Sequence, residues 1–232
     1  MKLVAPLCVV ALLLLGAGAG PAPATTGGQI TGRVAIVEKG KPATRDDVWV
    51  YLEDLDRHHH KPRTKPSQQT ITQKDRKFTP QVLVVPVGTV IAFPNADHEE
   101  HNVFSPTEPT FDLGHYNNGA GRTQKFDDAG EMAIYCDVHQ EMWARVKVVE
   151  SAWISKVNSS GQFSIANVPA GSYKLHVWTY DSAEVIDKVE ITDGGVATTS
   201  NLNLQLGEHK QSHVDKDGQS YSTHTVTGVD YR

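Results

Sequence analysis

The sequence has few cysteines, no excess of positive charge and no amphipathic helical period, and each shortage narrows the reading. Lys and Arg number 22 against 27 Asp and Glu, a net charge of −5, which argues against a general nucleic-acid binder. No basic stretch is interleaved with aromatics. Hydrophobic residues make up only 39%, with 19 Gly and 12 Pro, a balance that suits turn-rich β structure better than helices. No Ser-His-Asp motif, paired-carboxylate signature or phosphate-binding loop is present, so an enzyme is not expected. What is present is enough aromatic bulk to build ordinary cores: 4 Trp, 7 Tyr and 6 Phe.

The longest apolar run lies at the amino end, in MKLVAPLCVVALLLLGAGAGPAPA. One cation at Lys2, an apolar stretch and then small residues read as a secretory leader over residues 1–24, cut at Ala22-Pro23-Ala24. The run is short for a membrane span and is interrupted by Pro6. The expectation is a periplasmic or otherwise exported chain with no membrane span in its mature form. Cys8 leaves with the leader. Cys136 then stands alone in an oxidising compartment, without a partner for an internal disulfide, so its neighbours decide its role.

After residue 28, period-two alternation dominates and the expected fold class is all-β. Residues 29–55 offer two strands, Gln29–Val37 and Asp47–Glu53, too few to bury a core alone. Residues 56–67, with His58-His59-His60 and prolines, read as a linker. Residues 68–150 hold a second strand-rich block, with a Gly/Asn/Pro-rich excursion at Pro106–Gly121 expected to contain a short helical turn. Residues 152–206 offer five more strands; Leu202, Leu204 and Leu206 alternate with polar residues as a half-buried antiparallel strand does. Two and five strands make a discontinuous sandwich with the middle block inserted. The alternative is an N-terminal hairpin that pairs with the middle block. Residues 207–232 have no hydrophobic face and read as an extended or mobile polar tail.

Two segments carry chemistry. One is Asn95-Ala96-Asp97-His98-Glu99-Glu100-His101-Asn102-Val103; the other is Tyr135-Cys136-Asp137-Val138-His139-Gln140-Glu141-Met142, a C-x2-H-x2-M spacing where a strand ends. A thiolate, two imidazoles and a thioether form a soft-to-borderline donor set that suits copper cycling between Cu(I) and Cu(II). Structural zinc sites use more thiolates and no methionine. A short loop can place Cys136, His139 and Met142 around one ion. The fourth ligand then comes from a neighbouring strand, which His101 begins.

This pair of motifs resembles the type 1 (blue) copper proteins, the cupredoxins, and among them the amicyanins, which share the loop spacing. The resemblance covers about residues 68–150, including Val85-Pro86-Val87-Gly88-Thr89-Val90. It implies a Greek-key sandwich holding one type 1 copper ion. By it, His101, Cys136 and His139 are equatorial ligands, Met142 is axial, and Asn102 braces the cysteine loop by hydrogen bonds. The loop departs from amicyanin in carrying Asp137, Gln140 and Glu141, with Trp143 after the methionine. The outer segment Gly161–Val177, with Ile30-Thr31-Gly32-Arg33-Val34, is similar to the carboxypeptidase regulatory-like (prealbumin/Ig-like) sandwich. A chain combining the two resembles the plastocyanin-like proteins associated with methylamine utilisation.

The expected function is single-electron transfer between redox partners. Copper delivery or storage, with the His-rich segments as accessory sites, is the alternative. Outside the His58-His59-His60 run there is no His-x-His pair to supply the extra copper ions of a multicopper oxidase. Asp97, Glu99, Glu100, Asp137 and Glu141 would form a negative rim that steers a basic redox partner such as a cationic cytochrome. His98 is expected to face solvent, His209, His213 and His224 to be unstructured, and Trp49, Trp153 and Trp178 to pack sandwich cores. His115 is undecided, and Trp143 either packs a core or shapes the metal loop.

Overall fold

The computed structural model describes residues 27–55, 67–208 and 213–221, and these residues form strands and no helix. The expected leader, most of the linker with its three histidines, His209 and His224 lie outside the described residues. The chain opens with β1 (Gly28–Glu38), β2 (Lys41–Pro42) and β3 (Trp49–Asp54). The middle block contains β4 (Gln68–Thr70), β5 (Thr72–Lys74), β6 (Lys77–Thr79), β7 (Val82–Pro86) and β8 (Thr89–Asn95). It continues with β9 (His101–Ser105), β10 (Phe111–Tyr116), β11 (Gly119–Phe126), β12 (Gly130–Tyr135) and β13 (Trp143–Val149). The last strands are β14 (Ile154–Lys156), β15 (Gln162–Val168), β16 (Gly171–Trp178), β17 (Val185–Ile191) and β18 (Val196–Leu206).

These strands make four sheets in two face-to-face pairs, an all-β sandwich architecture. One pair is β15-β1-β18, extended by β2, against β14-β3-β16-β17. Alternate residues of each strand meet in its core: Ile30 and Val34 from β1, Val50 and Leu52 from β3, Leu175 from β16 and Leu204 from β18. The N-terminal strands thus pair with the C-terminal ones and not with the middle block. The other pair is β10-β9-β12-β13-β7 against β11-β8-β5-β6, with β4 beside β8. Phe78, Ile91, Phe93, Val103 and Ile134 fill its core.

Two expectations about local structure are corrected. The leucine-alternating strand β18 runs parallel to β1, not antiparallel. One-sided burial produces the alternation, and it is indifferent to direction when a sheet has one face on the core and one in solvent. The excursion at 106–121 contains β10 and the start of β11 rather than a helical turn. Its glycines permit strand geometry with irregular register: Gly121 has φ +74°, and a side chain there would overlap the Phe93 carbonyl on the neighbouring strand.

The sheet pairs also pack on each other. Strand β7 reads as a continuous apolar run because Leu83 and Val85 face the inner core while Val82 and Val84 face the other pair. Across from them lie Tyr51 of β3 and Trp178 of β16, with Trp143 and Val149 of β13 alongside. Trp178 therefore seals the junction between the sheet pairs rather than a sandwich core, whereas Trp153 packs as expected against the first core. Trp49 packs at the edge of both the middle core and the junction. Trp143 meets Tyr180 in this junction with ring centroids 4.7 Å apart and planes tilted by 52°.

Charged groups edge the same junction. Glu184 accepts the Tyr51 hydroxyl at 2.6 Å and lies 3.2 Å from Lys147 Nζ and 3.5 Å from His176 Nδ1. Burial pushes its carboxyl up, but the neighbouring His176 ring, the Tyr51 hydrogen bond and the Lys147 charge outweigh this and hold it at about 2. A depressed carboxyl stabilises the fold above its ordinary value near 4.5 and loses that contribution as pH falls toward about 2. Glu184→Gln is therefore expected to lower urea-unfolding stability at neutral pH, with the gap from wild type closing between pH 4.5 and about 2. A gap independent of pH would count against this ion-pair cluster.

Candidate metal centre

The centre begins with a hairpin. Strands β12 and β13 pair in regular antiparallel register up to Tyr135↔Trp143, so both ends of the Cys136–Met142 loop are fixed by the ladder. Within the loop, Cys136 N–H donates to Met142 O at 3.2 Å and Met142 N–H donates to His139 O at 3.1 Å. These bonds curl the chain and keep Cys136, His139 and Met142 at one end of the sandwich. Strand β9 lies beside β12, with Phe104 opposite Tyr135, and brings in His101.

Three of the expected ligand residues converge. His101 Nδ1 lies 3.1 Å from His139 Nδ1, and Cys136 Sγ lies 3.9 Å from His139 Nδ1. Ligand atoms of His101, Cys136 and His139 all fall within 4.8 Å of one another. Met142 is fully buried in the same core as Cys136, tied by its backbone to both Cys136 and His139. His101, Cys136 and Met142 are each 0% exposed, while the His139 side chain keeps 12% of its surface in solvent.

The histidines are oriented from behind. His101 Nε2 is 2.8 Å from Asp97 Oδ2, and His139 Nε2 is 3.5 Å from Glu99 Oε2. The Asp97 acceptor favours the proton on His101 Nε2 and so leaves the His101 Nδ1 lone pair for the common centre, while Glu99 faces His139 Nε2 as a charge contact. Asp97 is itself fixed, accepting N–H bonds from Asp75 at 2.8 Å and Arg76 at 3.1 Å. Burial raises its carboxyl, but the Arg76 N–H, the His101 ring and the Asp75 N–H bring it down to about 2. Glu99 is clamped by the Arg76 guanidinium at 2.6 and 2.8 Å. Asn95 shapes the loop between, accepting the Asp97 N–H and donating to Glu99 O.

Burial pushes the Cys136 thiol up, opposed by the N–H groups of Asn102, Val138 and His139 directed at Sγ. Burial and the neighbouring His101 push His139 down, which favours the neutral ring that a metal requires. The side-chain amide nitrogen of Asn102 donates to Asp112 Oδ1 at 2.7 Å, while its Oδ1 is buried without a hydrogen-bond partner. The backbone N–H of Asn102 is the group directed at Cys136 Sγ. Dry, convergent, soft-to-borderline donors with oriented imidazoles fit a copper-type ion. The second cluster, Asp97, Glu99 and His101, is part of this centre, because its carboxylates are already engaged.

Other expectations sort plainly. His98 is exposed and outside the convergence. His115 Nε2 lies 3.4 Å from Asp137, on the rim. The acidic rim is compensated in part, since Arg76 pairs with Glu99, and Lys216 Nζ lies 3.9 Å from Asp137. Glu100 and Glu141 are exposed. Sequence reasoning missed Arg76 and Asp112, which carry no ligand chemistry and reach the site only through tertiary pairing. It also missed the tail: residues 213–221 are ordered against the loop, with His213 stacked on Tyr135. Polar composition signalled no such contact, because hydrogen bonds to loop carbonyls rather than apolar burial hold the segment.

A family model described as polysaccharide lyase family 4, domain II, matches residues 152–199. The matching model for these strands is thus not the carboxypeptidase regulatory-like one expected. No curated protein matches the chain. Among solved structures, a Cu-containing nitrite reductase from Thermus scotoductus SA-01 is similar at 24% identity over 37% of this chain, with TM-score 0.35. That match spans only 23% of the nitrite reductase chain. A reduced amicyanin variant is similar at 19% identity over 38% of this chain and 87% of its own, with TM-score 0.34. A Cu(I) amicyanin variant matches at 19% identity over 35% and 82%, with TM-score 0.34.

If Asp97 orients His101, Asp97→Asn should weaken metal affinity about 10- to 100-fold. Chelator competition, with circular dichroism confirming an unchanged fold, measures this. Unchanged affinity would leave the Asp97–His101 contact without a role at the centre.

Proposed function

We propose that the protein is an exported, periplasmic electron carrier holding one type 1 copper ion, and that it is not an enzyme. The observation that carries this reading is the convergence of His101 Nδ1, Cys136 Sγ and His139 Nδ1 at a buried point beside Met142. In this reading the strands of residues 68–150 form the copper-binding unit, inserted between the two parts of the other sandwich. When bound, copper in this donor set supplies a one-electron Cu(II)/Cu(I) couple.

The chain's own residues do the rest. His101 keeps its proton on Nε2 against Asp97, Glu99 faces His139 Nε2, and both rings offer Nδ1. The Cys136 thiol releases its proton to solvent on binding, and the N–H groups around Sγ donate to the resulting thiolate. The ladder on both sides of the loop resists rearrangement between redox states. Core packing around Cys136 and Met142 keeps water out. The exposed edge of His139 is the route for the electron, with Val138 beside it 45% exposed as an apolar contact for a partner.

The partner in this reading is a redox protein with a basic face, such as a cationic cytochrome. Glu100 and Glu141 supply the attraction, while Arg76 and Lys216 moderate it. Complete burial of three donors favours retention of the ion over delivery or storage.

Absorption spectroscopy of the copper-loaded protein tests the reading. An intense band in the red from thiolate-to-copper charge transfer is expected, and Cys136→Ser should abolish it because a hydroxyl is a hard, weak donor. A copper-loaded wild type without the band, or a variant that keeps it, would contradict the assignment.

A further inference from the structure

We propose that residues 213–221 form a clasp that locks the ligand loop, with His213 and Tyr221 as positioning residues for the metal centre. The proposal rests on the copper reading for its function, although the clasp itself is defined by contacts present without metal.

The contacts fall on the loop's own polar groups. His213 Nε2 donates to Gln140 O at 2.7 Å, and Tyr221 OH donates to Cys136 O at 2.5 Å. The Lys216 N–H donates to Asp137 Oδ1 at 3.0 Å. One short segment therefore grips three residues of the Cys136–Met142 loop. The His213 ring lies flat on Tyr135, the residue before Cys136, with centroids 3.9 Å apart and planes 15° apart. Tyr221 meets the other edge of His213 at 5.1 Å.

The segment also reaches the other half of the ligand set. Lys216 Nζ lies 3.4 Å from Asp112 Oδ2, and Asp112 Oδ1 accepts the side-chain amide of Asn102, the neighbour of His101. Strand β9 and the loop are thus fastened by the same piece of chain. The clasp has a shape of its own. Asp215 Oδ1 accepts the N–H groups of Asp217 and Gln219 at 3.0 and 2.7 Å, and Asp215 N–H donates to Gln219 O at 2.8 Å. A tail resting by chance on a surface would not combine a closed turn with directed bonds to backbone carbonyls of a ligand residue.

Two consequences follow. The loop, which would otherwise be held by its own turn and the β12–β13 ladder, loses less order when metal is absent, so the centre is preformed. The Tyr135 side of the centre is covered by the His213 ring, which leaves the His139 edge as the open approach.

Hydrogen exchange on the full-length, metal-free protein tests the clasp, comparing wild type with His213→Ala/Tyr221→Phe. Amides of Cys136, Val138 and Met142 should exchange about tenfold faster in the variant, the size expected for losing two net hydrogen bonds, with β1 and β18 unchanged. Tyr221→Phe alone, which removes one hydroxyl, should give about threefold. Equal loop exchange in all three proteins overturns the clasp. In a second arm, copper loss to excess EDTA should be about tenfold faster in the double variant. Faster exchange in chains that take up no copper would uphold the clasp and sink the copper reading. Equal exchange and equal copper loss would sink the clasp and leave that reading standing.

Discussion

The structure depends on the pairing of Tyr135 with Trp143 at the end of the β12–β13 ladder. This pair sets the width of the loop that carries Cys136, His139 and Met142, and its two side chains, cross-strand neighbours on one face of the sheet, back that loop from the side of the junction. Tyr135 lies under the His213 ring, and Trp143 packs into the junction with the other sheet pair. A loop alone would pay for ordering its ligands each time a metal bound. Here the ordering is done by folding, and the donor atoms already face one another.

The second sheet pair has a physical part in this. The face of β3 and β16 that bears Tyr51 and Trp178 covers Val82 and Val84, making β7 a strand buried on both sides. Strand β13, which leaves the ligand loop, pairs with β7 and shares that burial. Closely packed interiors are hard to compress, so a hairpin backed by two layers is stiffer than one at a solvent face. On the opposite side, Asp75, Arg76, Asp97 and Glu99 form a polar frame behind the histidines. The centre is held by packing on the cysteine side and by hydrogen bonds on the histidine side.

Much of this was legible in the residues. Alternation located β1, β3 and most strands of both sheet pairs, because one-faced burial imprints a period of two on the sequence. The loop spacing and His101 pointed to a common centre because ligand chemistry demands those side chains. Direction of pairing was not legible: β18 has the alternation of an antiparallel strand and runs parallel to β1. The strand β10 was hidden by Gly114 and by residues that seldom favour sheets. Asn102 stood out beside His101, but the bond from its amide nitrogen to Asp112 on β10 was not legible, because that contact arises only from strand pairing. The tail defeated composition outright, since His213, Lys216 and Tyr221 act through directed bonds that leave no hydrophobic signature.

In the proposed copper reading, a stiff β frame presents two imidazole nitrogens and one thiolate to a single ion with little change between redox states. X-ray absorption at the copper edge, on the full-length protein oxidised and then reduced, measures this. A near shell of one sulfur and two imidazole nitrogens is expected in both states, with bond lengths that shift only slightly. A shell without sulfur, or one that reorganises on reduction, would contradict it.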